Sequence, residues 1–370
     1  MRFSILLLTF LIFLQMDTNA EELNIWIGTA GDNGIYHLIL DAEKGKLSEP
    51  SQVAELPGAG FLILNREGDK LYSAGRDERG QGKVVAFSIV KNNPVELKEL
   101  NSQIVPNGHH PTHVNFDREF NFLMSAHYGG STVNVFAVDA EGKLGAAVAS
   151  IQHKGGSKVV GRRQDRPHPH WIGADTTNSI VAVPDLGLDQ VVIYDFDSKT
   201  GKLGTSKLWA IPPGGGPRHM KFHENGKYAY VLNEFSLTVS VFERTSGNDF
   251  EKIQDIESLP DNLRDKRLNS AAEIRIHPSG KFLYTSSRGH DSITIYSIDQ
   301  TSGKLTFVDR ESVRGSWPRN FDVDASGKWM VVAGRYSNTI SLFEIENDGT
   351  LQFTRKIVNV PGPICVAIER

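Results

Sequence analysis

The hydrophobic positions of this chain fall into short runs, and six segments repeat one arrangement of them. Each has a turn, an apolar run of strand length, a polar break, and a second run ending in an aromatic residue. The clearest copies are Gly226 to Glu234, Gly280 to Arg288 and Gly327 to Arg335. In these the residue eight after the glycine is charged, and an aromatic follows eight further on, at Phe242, Tyr296 and Phe343. Looser copies run Gly68 to Arg76, Phe120 to Tyr128 and Asn178 to Leu186, with aromatic endings at Phe87, Phe136 and Tyr194. A further short run precedes each copy, as at Ile274-Arg275-Ile276 and Phe321-Asp322-Val323. A fourth follows a Gly-Lys-Leu turn at Gly142, Gly201 and Gly303.

Copies are spaced 47 to 58 residues apart, the length of a blade of four antiparallel strands. A blade buries its faces only against neighbours, so the repeats must close into a ring. The ends supply a seventh unit. Asn24 to Gly28 and Gly34 to Leu40 lack a preceding strand, while Pro363 to Ile368 is a strand with no blade after it. Pairing the last strand beside Asn24–Gly28 closes the circle and hides two edges. The sequence therefore predicts an all-β, seven-bladed β-propeller over residues 21–370, closed by its C-terminal strand on the N-terminal blade. An open pair of β-sandwiches, the alternative, would not sustain a blade-length repeat.

With 370 residues, 39% hydrophobic and 23% charged, the composition is that of an ordinary globular protein. The formal charge of −4 comes without a basic stripe, so nucleic acid is not an expected partner. In residues 1–20, Arg2 precedes an apolar run from Ile5 to Leu14 and a polar stretch ending at Ala20. That is the pattern of a signal peptide cut at Ala20-Glu21, and it predicts an exported, periplasmic or secreted protein. An uncleaved anchor is the other reading, but the run is short for a bilayer and no second apolar segment follows, so no stable membrane insertion is expected after cleavage. Cys365 is the single cysteine, and it lies in an apolar run. No intrachain disulfide can form, and Cys365 reads as a buried structural thiol. A monomer or weak dimer is expected.

Because the two innermost strands of a blade run antiparallel, the start of the first and the end of the second meet at one mouth of the ring. Residues leading into the first strands include Thr112, His113, His168, His170, Arg218, His219, Glu273 and Arg319. Residues leaving the second include Arg76, His127, Tyr128, Asp185, Asn233, Glu234, Arg288 and Arg335. Cations, carboxylates and imidazoles converging on a concave opening form a candidate ligand site. For Glu234 with Arg288, and for Glu273, a plain bridge between blades is the competing reading. Arg218 follows Gly214-Gly215-Gly216-Pro217, where flexible glycines let the backbone approach a ligand. His168 and His170 have a spacing often found without metal, so no metal or other cofactor is assigned. His109 and His110 read as water-facing. Asp185 has no calcium-loop spacing around it, and capping of its own turn competes with ligand contact.

Gly216-Pro217-Arg218-His219, Asn233-Glu234, Ala272-Glu273-Ile274, Ser287-Arg288-Gly289 and Pro318-Arg319-Asn320-Phe321 resemble the seven-bladed propeller lactonases of the 6-phosphogluconolactonase type, with carboxy-muconate cyclase as a relative. The likeness spans the mature chain. It implies His170, Arg218, Glu234 and Arg288 as catalytic residues; the convergence on one mouth adds His113, His127, Asp185, His219, Glu273, Arg319 and Arg335 as candidates around the substrate. His127-Tyr128 stands where the family has Asn-Tyr, and Ser287-Arg288 where it has Asn-Arg.

Lactone hydrolysis needs an activated water and donors for an oxyanion. His170 or Glu234 is the expected base, with Arg218 and Arg288 binding the anionic oxygens and no metal required. No Gly-x-Ser-x-Gly motif is present, which argues against a serine nucleophile. A non-catalytic exported propeller that binds a sugar or protein, a scaffold, and a muconate-type cycloisomerase are the alternatives.

Overall fold

The computed structural model describes residues 22–92, 94–264 and 269–370; the leader assigned to residues 1–20 lies outside them. Seven antiparallel sheets follow one another around a central channel. Blade 5 shows the plan, with strands Pro217–Phe222, Tyr228–Asn233, Thr238–Ser246 and Asp249–Glu257 ordered from the axis outward. Blades 2, 3, 4, 6 and 7 repeat it, beginning at Leu62, His113, Gly173, Ser270 and Pro318. The second strand of a blade is buried along its whole length in Phe122–His127, Ile180–Asp185 and Tyr228–Asn233. Neighbouring blades cover both its faces, which is why these strands read as continuous apolar runs.

Blade 1 is built from both ends of the chain. Pro363–Ile368 is its innermost strand and pairs antiparallel with Glu22–Thr29, Ile27 standing opposite Val366. The closing strand is also tied to blade 7: Asn320 Oδ1 accepts from the Val366 N–H at 2.8 Å and Asp322 Oδ2 from the Ile368 N–H at 3.2 Å. The outer strand of this blade is split into Lys46–Leu47 and Ser51–Ala54, around Pro50, which has no N–H to give to a ladder.

The repeat's aromatic endings are all buried, from Phe87 to Phe343. Repeated hydroxyl clamps join successive blades as well. Tyr72, Tyr230 and Tyr284 donate to the carbonyls of Gly142, Gly303 and Gly349 at 2.7, 2.9 and 3.0 Å. Gly303, with φ +67°, is required at such a turn, since a Cβ there would lie 2.3 Å from the Tyr228 ring. Cys365 is fully buried; its sulfur accepts from the Leu62 N–H at 3.3 Å, and burial pushes the thiol up to about 12.

Along each innermost strand every second side chain points at the axis. One such layer, Phe61, His113, Trp171, His219, Glu273, Asn320 and Ile364, gives one residue per blade. Its members touch one another and are nearly all buried, so they close the channel midway. The layer two residues further on contains Asn115, Lys221, Arg275, Asp322 and Val366.

Candidate active site

Glu234 is the hub of the first mouth. It directly follows the second strand of blade 5, Arg218 opens the adjacent first strand, and Arg288 ends the second strand of blade 6. Glu234 Oε2 accepts from Arg218 Nε at 3.0 Å and forms an ion pair with Arg288 Nη2 at 3.0 Å, and Oε1 accepts from Arg163 Nη2 at 2.7 Å. Burial alone would raise the Glu234 pKa, but Arg288, Arg218 and Arg163 override it and hold the group at about 2. Glu234 is therefore a fixed anion whose lone pairs are committed to guanidinium groups.

The loop before Arg218 is held as firmly. Asp189 accepts from the N–H groups of Gly214 and Gly216 at 2.7 and 2.8 Å, and from Gln164 Nε2 at 2.5 Å. Gly216 has φ +65°, and a Cβ there would meet the Phe235 ring at 2.5 Å. Arg218 is 2% exposed and also donates to the Ala272 carbonyl.

Arg319, on the first strand of blade 7, differs from the other three. It is half-buried, and among the described residues its guanidinium has no acceptor and no carboxylate partner. Burial, with Arg288 nearby, lowers it to about 10, so it keeps its charge at neutral pH. Four guanidinium groups, of Arg163, Arg218, Arg288 and Arg319, thus surround one carboxylate, leaving three positive charges uncompensated.

A cavity of about 120 Å3 opens beside them, lined by Gly60, His110, His170, Arg218, His219 and Arg319 among others. It is small beside the ~300–1,000 Å3 of most ligand sites, so a sugar-sized molecule would insert one end and leave the rest at the rim. His170 is buried and its Nδ1 has no partner. Burial first, then Arg218, His219 and Arg319, hold it well below the usual imidazole range, and it is neutral. His219 pairs its Nδ1 with Glu273 Oε2 at 3.2 Å. With Glu273 anionic, that places the proton on Nδ1 and leaves Nε2, buried and unpartnered, as a lone-pair acceptor. Burial lowers His219 to about 3 despite Glu273.

The other residues expected around the substrate are spread more widely. Glu273 is fully buried in the midway layer, bonded to His219, Arg275 and Asn320, and does not line the cavity. His113 is in the same layer, 4.1 Å from the Phe61 ring, and faces the far half of the channel. His127 is fully buried, bonded through Nε2 to Ser125 and Asn134 and through Nδ1 to the His109 carbonyl; it braces the 109–112 loop from behind. Asp185 accepts from the N–H groups of His168, Gly187 and Leu188 and pairs with His153 at 2.7 Å, so its oxygens cap its own turn. Arg335 stacks on Tyr336 at 5.3 Å, outside the cavity lining.

One expectation is corrected: His110 does not merely face water. It bonds the Gly58 carbonyl at 2.6 Å and forms part of the cavity wall beside Pro111. Arg163 was not foreseen. It reaches Glu234 from a loop turn, Gly161–Gln164, packs over Phe235 at 4.7 Å and donates to the Tyr128 hydroxyl at 3.1 Å. It belongs to no strand of the repeat, so no register pointed to it.

Fold and site together define an arginine-rich propeller pocket that closes on a buried carboxylate. The chain belongs to the Lactonase, 7-bladed beta-propeller family, whose model matches residues 24–368. It is 37% identical over 346 residues to the 6-phosphogluconolactonase of Bacillus subtilis (strain 168), covering 92% of this chain and 97% of that protein. It is 34% identical over 342 residues to the 6-phosphogluconolactonase of Formosa agariphila, covering 90% and 93% of the two chains. Among solved structures it is similar to the periplasmic gluconolactonase of Pseudomonas aeruginosa, with a TM-score of 0.87, 26% identity, and 95% and 99% of the two chains covered.

Proposed function

We propose that this protein hydrolyses a sugar-acid lactone to the aldonate, with water as the nucleophile and no covalent enzyme intermediate. The names of its relatives support that reaction, and one observation carries the site: Arg319, a charged guanidinium without an acceptor among the described residues, lines the same cavity as His170, a neutral imidazole whose buried Nδ1 has no partner. In this reading the lactone carbonyl points its oxygen at Arg319 and Arg218. Water attacks the carbonyl carbon, its proton passes to His170, and the oxyanion rests against the two guanidinium groups. Collapse breaks the ring C–O bond, and the leaving alkoxide takes the proton back from His170. The product carboxylic acid then ionises, releasing one proton to solution.

Glu234 has a different part from the base expected of it. A carboxylate bonded to three guanidinium groups and held at about 2 is a poor proton acceptor, and it serves as the anchor that fixes Arg218 and Arg288. His219, oriented by Glu273, is the second neutral imidazole on the cavity wall and orders the attacking water.

The test is pH-stat hydrolysis of glucono-δ-lactone and 6-phosphoglucono-δ-lactone by wild type and by His170→Asn and Arg319→Ala. The proposal expects acid release above the spontaneous rate, lost in both variants. Equal rates with and without protein would leave only a sugar- or protein-binding propeller. The three uncompensated charges favour the phosphorylated substrate, and the ratio of the two rates reads that preference directly.

We also infer export of residues 21–370, supported by the leader-like pattern of residues 1–20 and by likeness to a periplasmic gluconolactonase. No helix among the described residues is long and apolar enough to cross a membrane. Amino-terminal sequencing of the exported protein should begin at Glu21; an intact Met1 on protein confined to the cytoplasm would refute export.

A further inference from the structure

The closed layer at mid-channel divides the axis into two chambers, and the chamber away from the catalytic cavity is the larger, about 500 Å3 against 120 Å3. That volume is within the range of ordinary ligand sites. We propose that this opposite mouth is a second ligand site, which binds a small carboxylate or phosphate anion through Lys221.

Lys221 lies two residues beyond His219 on the first strand of blade 5, inside the channel and half-buried. Its ammonium sits over the Trp171 ring at 5.6 Å. Among the described residues it has neither a carboxylate partner nor a hydrogen-bond acceptor. Arg370, exposed at the rim of the same mouth, likewise has no ion pair among the described residues, whereas the other cations that line it are engaged. Arg275 binds Glu273 at 3.0 Å and Asp322 at 3.1 Å, Arg118 binds Glu224 at 3.1 Å, and Arg66 donates to the Arg118 carbonyl at 2.9 Å. Asp322 also accepts from the closing strand, and Asp117 from backbone N–H groups and Asn178. The Lys221 amine, half-buried inside the chamber and unpaired, is the inner donor available to an incoming anion, with Arg370 at the rim.

His113 is a second lining residue with an unsatisfied polar atom. It is 2% exposed, lines this chamber, and its Nδ1 is buried without a partner. Burial, then Arg275, also draw Lys221 down to about 7, against the opposing pull of Glu273 and Asp322. An anion seated beside the amine would restore its charge. Lys221 does not line the catalytic cavity, and buried side chains lie between the two chambers.

Trp171 beneath the ammonium supplies the readout. Tryptophan fluorescence is titrated with inorganic phosphate and, separately, with citrate, in wild type, Lys221→Met, Lys221→Arg and Arg319→Ala. The proposal expects a saturable response that survives in Arg319→Ala, where the catalytic mouth is weakened, and in Lys221→Arg. It expects affinity to drop at least tenfold in Lys221→Met, whose lactonase rate stays that of wild type and so reports an intact fold. The anion that saturates at lower concentration identifies carboxylate or phosphate as the better ligand. The proposal is overturned if neither anion gives saturation, if Lys221→Met responds like wild type, or if Arg319→Ala abolishes the response, which would place all anion binding at the catalytic mouth.

Discussion

Replacing Glu234 by Gln keeps the shape of the side chain and removes its charge, leaving Arg163, Arg218 and Arg288 around a neutral amide. Arg218 and Arg288 are 2% and 5% exposed, so water cannot take over the lost interaction. Removing one member of a buried ionic cluster costs about 3–5 kcal/mol. For 370 residues the entropy of unfolding near the midpoint is roughly 0.8 kcal/mol per kelvin. The variant should then melt about 4–6 °C lower, as calorimetry at neutral pH would read. Lactonase turnover should fall with it, because Arg218 loses the oxygen that orients its Nε. A double variant, Glu234→Gln with Arg288→Met, removes one of the stranded cations and should recover part of the lost stability. If Glu234→Gln abolished turnover while the melting temperature stayed at the wild-type value, Glu234 would be a chemical base and the anchor argument would be wrong.

Arg319→Ala should behave in the opposite way. With no ion pair to lose, it should leave the melting temperature within about 1 °C, while losing one oxyanion donor lowers kcat by about 10²–10³. Gly216→Ala forces a Cβ into the Phe235 ring at positive φ, so it should both destabilise the protein and displace Arg218, seen as joint losses in melting temperature and kcat. Tyr284→Phe removes the clamp on the Gly349 carbonyl and should cost about 1–3 kcal/mol in denaturant unfolding with kcat unchanged. Acid sensitivity should come in two stages. His127 and His219, at about 4 and about 3 in the folded protein, take up protons more readily when unfolded, so stability starts to fall as pH drops below about 6.5. Glu234, depressed to about 2, contributes stability above about 4.5 that disappears as pH falls toward 2. A urea midpoint that stayed flat from pH 7 to pH 4 would contradict the histidine assignments, and one that stayed flat from pH 4 to pH 2 would contradict that of Glu234.

The repeat disclosed the ring because a blade cannot hide its faces alone, and the same apolar runs recur from blade to blade, with a turn glycine opening four of the six copies at Gly68, Gly226, Gly280 and Gly327. Strand polarity likewise assigned Arg218, Glu234 and Arg288 to one mouth, and the ion pairs among them are found there. Depth along the axis was not legible in the same way. His113 and Glu273 lie at positions that lead into the first strand, yet one step along an alternating strand carries a side chain from the cavity to the closed layer. His127 and Asp185 occupy repeat positions too, but their polar atoms are consumed by nearby backbone. Those pairings depend on loop conformation, which spacing does not encode. Arg163 shows the limit from the other side, since a residue outside the repeat carries no register at all.

The order in which the ring is assembled has a consequence for biosynthesis. Its closing strand follows all seven outer blade segments in the chain, Pro363–Ile368 locking onto Glu22–Thr29 and onto Asn320 and Asp322. Until that strand is in place, the edge of Glu22–Thr29 that it covers has no partner. A newly made molecule therefore passes from vulnerable arc to sealed wheel in a single late event. Removing those six residues, or fusing a rigid partner against them, would trap the protein as the sticky arc.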